Sequence, residues 1–362
     1  MTGEKPYNPV TPFASLTAFP AAIGDLRTLP RFQNQLIIMQ KRYLITGGAG
    51  FVGSHLSEKL LEQGDHVTII DDLSTGRWEN IAALESHPNF RAIVASVDDE
   101  RLVHDEVSKS GFVYHLASAV GVKLVIEKPV ETVQRIVRGT DIVMTACSKF
   151  RRPVLLTSTS EVYGKSERIP FCEDDDIVMG ATSKRRWAYA CAKSLDEFLV
   201  LAHFYQTSLP VYIVRLFNTV GPRQASQYGM VLPRFVDAAL ENQPVRVYGS
   251  GEQTRCFCSV FDIVRALVAM CDCREAIGKV VNLGSNEEVT MTELARRVIA
   301  LSGSKSTIEY VPYEKAYGPG FDDMQRRVPN IDRANQFLNW QPEYNLDAII
   351  QQVIDDKKHE RD

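Results

Sequence analysis

The sequence predicts an α/β fold in which helices cover both faces of a parallel sheet, and two observations support it. From Lys41 onward, short apolar runs alternate with segments of helical period, which is the pattern of a doubly wound parallel sheet. In addition, Gly47, Gly50 and Gly53 follow the first apolar run and precede a helical segment. A glycine turn between the first strand and the first helix is typical of a Rossmann-type sheet.

The predicted strands are the apolar runs, taken in order along the chain. They cover residues 42–46, 66–71, 90–95, 112–116, 154–157, 211–216 and 280–283. The first helix is predicted at about residues 54–63, directly after the glycine turn. A chain of 362 residues is long enough for a second lobe, and we expect a smaller, mixed C-terminal lobe beside the sheet.

Composition excludes several classes of protein. A hydrophobic content of 44% and a charged content of 24% are ordinary for a soluble globular enzyme. The net charge of −4, without a local run of lysines or arginines, argues against a nucleic-acid surface. No apolar stretch has the length of a membrane span. We therefore expect a small-molecule partner, no nucleic acid and no membrane.

The cysteines indicate a reducing compartment. Seven cysteines, an odd number without a secretory signal, are typical of reduced thiols in a cytoplasm. Two Cys-x-Cys pairs, Cys256/Cys258 and Cys271/Cys273, have no histidine nearby. We interpret them as small buried hydrophobic residues and expect no metal site.

The glycine turn predicts a dinucleotide site. Glycines there permit a tight turn, a close approach to pyrophosphate and close helix packing, with the phosphate at the helix N-terminus. Asp71 ends the second predicted strand, where a carboxylate accepts ribose hydroxyls and repels a 2′-phosphate. The cofactor predicted is therefore NAD and not NADP.

A second set of residues predicts proton chemistry. Tyr189 and Lys193 are four residues apart and so share one helix face, where an ammonium is expected to lower the pKa of the phenol. The segment from Leu155 to Gly164 reads as a buried strand that ends in a hydroxyl-rich turn with one carboxylate, Glu161.

Together, these three segments resemble the extended short-chain dehydrogenase/reductase (NAD-dependent epimerase/dehydratase) family, whose members rework nucleotide sugars with a tightly held NAD. The resemblance runs from about Lys41 to about Val353. His115 is interpreted as a packing residue. The resemblance implies that NAD is bound by Gly47, Gly50, Phe51, Val52, Gly53, Asp71, Asp72, Ser74, Thr75, Gly76, Arg77, Leu116, Ala117, Ser118, Tyr189 and Lys193.

The resemblance also implies the catalytic roles. Thr159 would orient a sugar hydroxyl, Tyr189 would take its proton, and Lys193 would hold the nicotinamide ribose. Glu161 is suited to transferring a proton at C5 of the sugar. The segments 183–189 and 317–329 look most like UDP-glucuronate decarboxylases and UDP-xylose synthases. In that group the arginine at the position of Arg327 faces the substrate carboxylate, and the adjacent Arg326 leaves the assignment between the two arginines open. The substrate contacts implied are Ser160, Glu161, Asn218, Arg223, Val247, Tyr248, Arg255 and Arg327.

The function expected is decarboxylation of UDP-glucuronate by oxidation at C4 and loss of CO₂, with or without re-reduction to UDP-xylose. A UDP-sugar 4-epimerase, an NDP-sugar 4,6-dehydratase and a non-catalytic NAD-sensing protein are the alternatives. The domains expected are a flexible N-terminal tail (1–40), an NAD-binding Rossmann domain (41–217, completed by roughly 258–284) and mainly a nucleotide-sugar-binding lobe (218–355). The resemblance also implies a homodimer, paired through helices at about 130–147 and 187–205.

Overall fold

The computed structural model describes residues 40–118, 128–226, 230–317 and 324–361. The predicted N-terminal tail lies outside these ranges, apart from Gln40, as does part of segment 317–329.

Strands and helices alternate through most of the chain. The strands are β1 (Arg42–Thr46), β2 (His66–Asp71), β3 (Phe90–Val94), β4 (Phe112–His115), β5 (Val154–Thr159), β6 (Val211–Leu216), β7 (Thr219–Val220), β8 (Val245–Tyr248), β9 (Thr254–Cys256), β10 (Cys258–Ser259), β11 (Lys279–Leu283), β12 (Glu288–Thr290) and β13 (Ile308–Val311). The helices are α1 (Phe51–Glu62), α2 (Glu100–Lys109), α3 (Pro129–Phe150), α4 (Trp187–Thr207), α5 (Val231–Leu240), α6 (Val260–Met270), α7 (Met291–Ser302), α8 (Tyr313–Tyr317), α9 (Asp332–Leu338) and α10 (Leu346–His359).

The central sheet confirms the predicted fold class. Its seven strands run in the order β11-β6-β5-β4-β1-β2-β3, and every pairing is parallel. The strand order reverses between β1 and β4, and ligands of open α/β sheets bind at such a switch point, beyond the carboxyl ends of the strands.

The strand β5 is longer than predicted. The sequence places its end at residue 157, but Ser158 and Thr159 continue the ladder opposite Arg215 and Leu216 of β6. The prediction stopped at the first hydroxyl residues because polar side chains usually mark a turn. Here they complete a central strand, and Thr159 therefore lies at its carboxyl end.

The glycine turn packs α1 closely against the sheet. Gly47 has a φ of +75°, which favours glycine. A Cβ placed on Gly53 would lie 2.2 Å from the Gly47 carbonyl oxygen, so only glycine allows this approach. The helix begins at Phe51 with Gly50 as its N-cap, three residues earlier than predicted.

Separate hydrophobic clusters support the sheet and the C-terminal lobe. One cluster packs α1 and α6 on one face of the sheet, and another packs α2, α3 and α4 on the opposite face. In the C-terminal part, a third cluster joins α5, α7 and α10 to β8. Among residues 40–118, 128–226, 230–317 and 324–361, no helix combines the length and the apolar character that membrane crossing requires.

Candidate active site

A cavity of about 500 Å³ extends from the glycine turn across the carboxyl ends of the strands to the C-terminal lobe. It brings together residues that the sequence separates by up to 280 positions and has the size typical of a cofactor or substrate site. The predicted site residues that line it are Gly47, Gly50, Phe51, Val52, Gly53, Asp71, Asp72, Ser74, Thr75, Arg77, Leu116, Ala117, Ser118, Thr159, Ser160, Glu161, Tyr189, Asn218, Arg223, Tyr248, Arg255 and Arg327.

Three predicted site residues lie outside this lining. Gly76 stands beside the carboxylate of Asp71, because a Cβ added there would lie 2.8 Å from Asp71 Oδ1. Lys193 is buried within α4. Val247 was predicted to contact the substrate, but its side chain is fully buried in the hydrophobic cluster of the C-terminal lobe. Its contribution to the site is therefore the support of its neighbour Tyr248.

Asp71 organises the glycine turn as well as facing the cavity. Its Oδ2 accepts a hydrogen bond from the Ala49 N–H at 2.9 Å, and its Oδ1 accepts one from the Leu73 N–H at 2.9 Å. Burial raises the pKa of Asp71, and these backbone N–H groups oppose the rise. Each carboxylate oxygen has a second lone pair, so Asp71 can still accept the ribose hydroxyls for which it was predicted.

Two ion pairs border the same end of the cavity and were not predicted. Arg135 of α3 contacts Asp72 at 3.2 Å, and Arg77 contacts Glu360, just beyond α10, at 2.9 Å. Both arginines line the cavity. Sequence separations of 63 and 283 residues explain why local patterns gave no signal for these partners.

The structure places Tyr189 and Thr159 at the same end of the cavity. Tyr189 lies in the first turn of α4, and Thr159 ends β5. The pKa of Tyr189 is raised, first by burial and then by the negative charge of Glu161, while hydrogen bonding to Thr159 acts in the opposite direction. The shift is thus opposite to the one predicted from the Tyr189/Lys193 spacing.

Lys193 has a charged partner of its own. Its Nζ donates a hydrogen bond to Asp196 Oδ2 at 2.9 Å, and both side chains are buried. Asp196 was not predicted as part of the site. The ammonium is therefore neutralised locally by a carboxylate that lies on the same helix, three residues further on.

Glu161 lies between two arginines. Arg327 Nη2 donates to Glu161 Oε1 at 2.5 Å, and Arg186 Nη2 approaches the two carboxylate oxygens at 3.2 and 3.1 Å. Burial alone would raise the pKa of Glu161, but the charges of Arg186 and Arg327 outweigh it and lower the pKa to about 2. At neutral pH Glu161 is therefore an anion that accepts hydrogen bonds, whereas the sequence suggested a residue that exchanges protons.

The structure distinguishes the adjacent arginines that the sequence left ambiguous. Arg327 lines the cavity and is 7% exposed. Arg326 is directed away and forms an ion pair with Glu288 at 2.8 Å. Arg186 immediately precedes α4 within a basic run, and the sequence contains no local signal that this arginine, unlike Lys184 and Arg185, is buried.

The end of the cavity at the C-terminal lobe is basic and aromatic. Asn218, Arg223 and Arg255 also line the cavity, and Arg327 Nη1 donates a hydrogen bond to Asn218 Oδ1 at 3.4 Å. Arg234 of α5 was missed by the sequence analysis; its guanidinium lies over the Tyr248 ring, 3.9 Å from the centroid. Guanidiniums bind phosphate oxygens, and an aromatic face offers a stacking surface. This end is suited to a nucleoside diphosphate.

Comparison with known proteins agrees with this arrangement. The family model of GDP-mannose 4,6-dehydratase matches residues 44–353. A UDP-N-acetyl-alpha-D-glucosaminuronate decarboxylase of Bacillus cytotoxicus is 41% identical over 317 residues, which are 87% of this chain and 97% of that protein. UDP-glucuronic acid decarboxylase 1 of Danio rerio is 36% identical over 315 residues, which are 87% of this chain and 72% of that protein.

Among solved structures, the UDP-glucuronic acid 4-epimerase from Bacillus cereus, in complex with UDP-glucuronic acid and NAD, is similar in fold. It superposes with a TM-score of 0.80 at 27% identity, and the match covers 88% of this chain and 99% of that one.

Proposed function

We propose that this chain, which belongs to the GDP-mannose 4,6-dehydratase family, is an NAD-dependent decarboxylase of a UDP-hexuronate, with UDP-glucuronate as the first substrate to test. The predicted place in the extended short-chain dehydrogenase/reductase family is confirmed. The names of the two relatives, both uronate decarboxylases, support the reaction. A 4-epimerase and a 4,6-dehydratase remain the alternatives.

The observation that carries the proposal is the Glu161 cluster. Arg186 and Arg327 both contact Glu161, and all three line the cavity together with Tyr189. A guanidinium binds a carboxylate through two parallel hydrogen bonds. The cluster therefore favours a sugar that carries a carboxylate close to the carbon on which Tyr189 acts.

The glycine turn and its surroundings suit NAD. A Cβ on Gly47 would lie 2.8 Å from the Ala117 nitrogen, and one on Gly53 would meet the Gly47 carbonyl oxygen. The backbone is therefore shaped for the close approach of a pyrophosphate. Asp71 and Arg77 would hold the adenosine half. When bound, NAD supplies a hydride acceptor, and later a donor, at C4 of the sugar.

Residues of the chain would accept the proton of the C4 hydroxyl and stabilise the negative charge that forms on the C4 oxygen. Tyr189 would accept the proton of the C4 hydroxyl, which Thr159 orients. Once C4 is a ketone, the C5–C6 bond can break, and its electron pair moves into an enolate whose negative charge rests on the C4 oxygen. The Tyr189 and Thr159 hydroxyls then donate hydrogen bonds to that oxygen. CO₂ leaves, and a proton from solvent adds at C5.

The arginines act before the bond breaks. Arg327 and Arg186 would bind the substrate carboxylate and hold the C5–C6 bond in place.

Incubation of the protein with NAD⁺ and each of two substrates tests the proposal. UDP-glucuronate should release CO₂ and yield a UDP-pentose, either UDP-xylose or the 4-keto sugar. UDP-N-acetylglucosaminuronate is the second substrate, because the Bacillus cytotoxicus relative is named for it. Release of CO₂ from neither compound would overturn the proposal. UDP-galacturonate formed without CO₂ would identify a 4-epimerase.

We also propose that two copies of the chain pair through α3 and α4. Three large side chains of α4 are exposed in the single chain: Leu195 at 52%, Phe198 at 65% and Tyr205 at 73%. Their spacing puts them on one side of the helix, and an apolar surface of this kind is usually covered by a partner. Phe198→Glu should shift the protein from dimer to monomer in analytical ultracentrifugation. A wild-type protein that sediments as a monomer would contradict the pairing.

We further propose which part of the chain binds each ligand and in which compartment the protein is located. Residues 41–217, completed by roughly 258–284, would bind NAD, and the remainder of 218–355 would bind the nucleotide sugar. Separate hydrophobic clusters in the two parts support this division. All seven cysteines are free thiols, which supports the reducing environment of a cytoplasm.

A further inference from the structure

A buried ion pair lies beside the catalytic tyrosine, outside the cavity lining. Lys193 and Asp196 have side chains that are 3% and 0% exposed, and Nζ and Oδ2 are 2.9 Å apart. A buried ammonium is costly unless it is paired, and this carboxylate is its partner.

The groups around the pair add no competing charge. His115 of β4 contacts Thr46 at 2.7 Å and Thr140 of α3 at 3.2 Å. Burial and the nearby charge of Lys193 lower the pKa of His115 to about 3, so His115 is neutral in the working pH range. Its predicted role as a packing residue agrees with these contacts.

The carboxylates of Glu197 and Glu161 form ion pairs with arginines. Glu197, next to Asp196 on α4, forms a buried ion pair with Arg215 of β6 at 2.7 Å. Glu161, which follows β5, is held by Arg186 and Arg327. Within the described residues, Asp196 is therefore the carboxylate that pairs with Lys193.

The pair also affects Tyr189. After burial and Glu161, the negative charge of Asp196 is a further cause that raises the pKa of Tyr189. Burial also raises the pKa of Asp196 itself, and the Lys193 ammonium and the Thr140 hydroxyl oppose this. The charge that reaches the phenol from Lys193 is thus reduced by an anion on the same helix.

We propose that Asp196 is a positioning residue that holds the Lys193 ammonium in place and limits how strongly its charge acts on Tyr189. This inference rests on the proposed function only in taking Tyr189 as the proton acceptor. Asp196 touches neither the cavity nor Thr159, and its effect on the reaction passes through Lys193 and through its charge.

Replacement of Asp196 by asparagine removes the negative charge of the side chain but keeps its size and shape. Without the carboxylate, Tyr189 ionises more easily, so the acidic limb of the kcat/KM profile moves to lower pH. We expect the acidic limb of Asp196→Asn to move by roughly 1 pH unit, and Asp196→Glu to keep the wild-type limb.

A purely structural role predicts a different result. Asp196→Asn would then lower kcat by a constant factor, or lower the melting temperature, without moving the profile. A profile that superimposes on that of the wild type after scaling would overturn the inference. Asp196→Ser, which also removes the charge, serves as the test variant if the asparagine variant does not fold.

A second measurement needs neither substrate nor cofactor. In protein labelled with ¹³C-lysine, the Lys193 Cε resonance, assigned with Lys193→Arg, reports the surroundings of the ammonium. At one fixed pH it should move in Asp196→Asn and stay near its wild-type position in Asp196→Glu, and an unmoved resonance in Asp196→Asn would overturn the inference. Failure of the wild type to release CO₂ would count against the proposed function alone.

Discussion

The two ends of the cavity are built in different ways. At the cofactor end, the glycine turn is shaped by backbone, with Gly47, Gly50 and Gly53 close together in the sequence and held by the Asp71 carboxylate. At the reactive end, side chains from three distant segments meet, and the Glu161–Arg327 contact spans 166 residues. The first is a local property of the chain, whereas the second depends on the whole fold.

This difference has a chemical consequence. A backbone site presents N–H groups to any pyrophosphate, so it specifies the cofactor class and not the reaction. The reactive end carries the charges that distinguish a sugar acid from a neutral sugar. Substitutions at the reactive end should therefore change the reaction, and those at the glycine turn should change cofactor affinity.

The largest expected effect is at Tyr189. Tyr189→Phe removes the hydroxyl that accepts the C4 proton, and kcat should fall by about 10³-fold, within the usual range for a general base. NAD affinity, measured by fluorescence titration, should change little. Tyr205→Phe, an exposed tyrosine later on the same helix, is the control and should retain full activity. A Tyr189→Phe variant with wild-type kcat would exclude this residue as the base.

The next effect separates two neighbouring arginines. Arg327→Lys keeps the positive charge but loses the planar two-point contact, so kcat/KM for decarboxylation should fall by about 10²-fold. Arg326→Lys, next in sequence but paired with Glu288 on the outside, should stay within about 2-fold of the wild type. CO₂ release measured for both variants gives the comparison. Equal losses would show that the structure does not separate their roles.

Particular strands and site residues show how much of the fold and of the candidate site could be predicted from the sequence. The strands β1, β2 and β6 were predicted residue for residue, because apolar runs between turns are local signals. Twenty-two predicted site residues line the cavity, since the glycine turn and the Tyr189 segment are continuous motifs. Arg186, Arg234 and Asp196 were missed because their roles depend on burial and on partners that only the fold brings together.

A smaller effect is expected at the cofactor end. Gly53→Ala would place a Cβ 2.2 Å from the Gly47 carbonyl oxygen, so the turn must open, and NAD should bind about 10-fold more weakly, a cost near 1.4 kcal/mol. Gly111→Ala is the matched control, because its nearest contact would be an ordinary 3.4 Å. Isothermal titration with NAD⁺ measures both. Unchanged affinity in Gly53→Ala would contradict the close packing of the turn.

The last effect is on the pH dependence of stability and not on activity. With a folded-state pKa of about 2, below the unfolded value of about 4.3, Glu161 stabilises the fold above pH 4.3, and this contribution is lost as the pH falls toward 2. Urea unfolding of Glu161→Gln should show a deficit of about 3 kcal/mol at pH 7 that shrinks below pH 4.5. A deficit independent of pH would contradict the ion-pair cluster.

The central claim is that the reactive end removes a carboxylate from the sugar, and the reaction in D₂O tests it most directly. Incubation with NAD⁺ and UDP-glucuronate should release CO₂ and give a UDP-pentose that carries one solvent deuteron at C5, which NMR and mass spectrometry detect. A six-carbon product that retains its carboxylate and its original C5 hydrogen would contradict the claim, and would instead indicate epimerisation at C4.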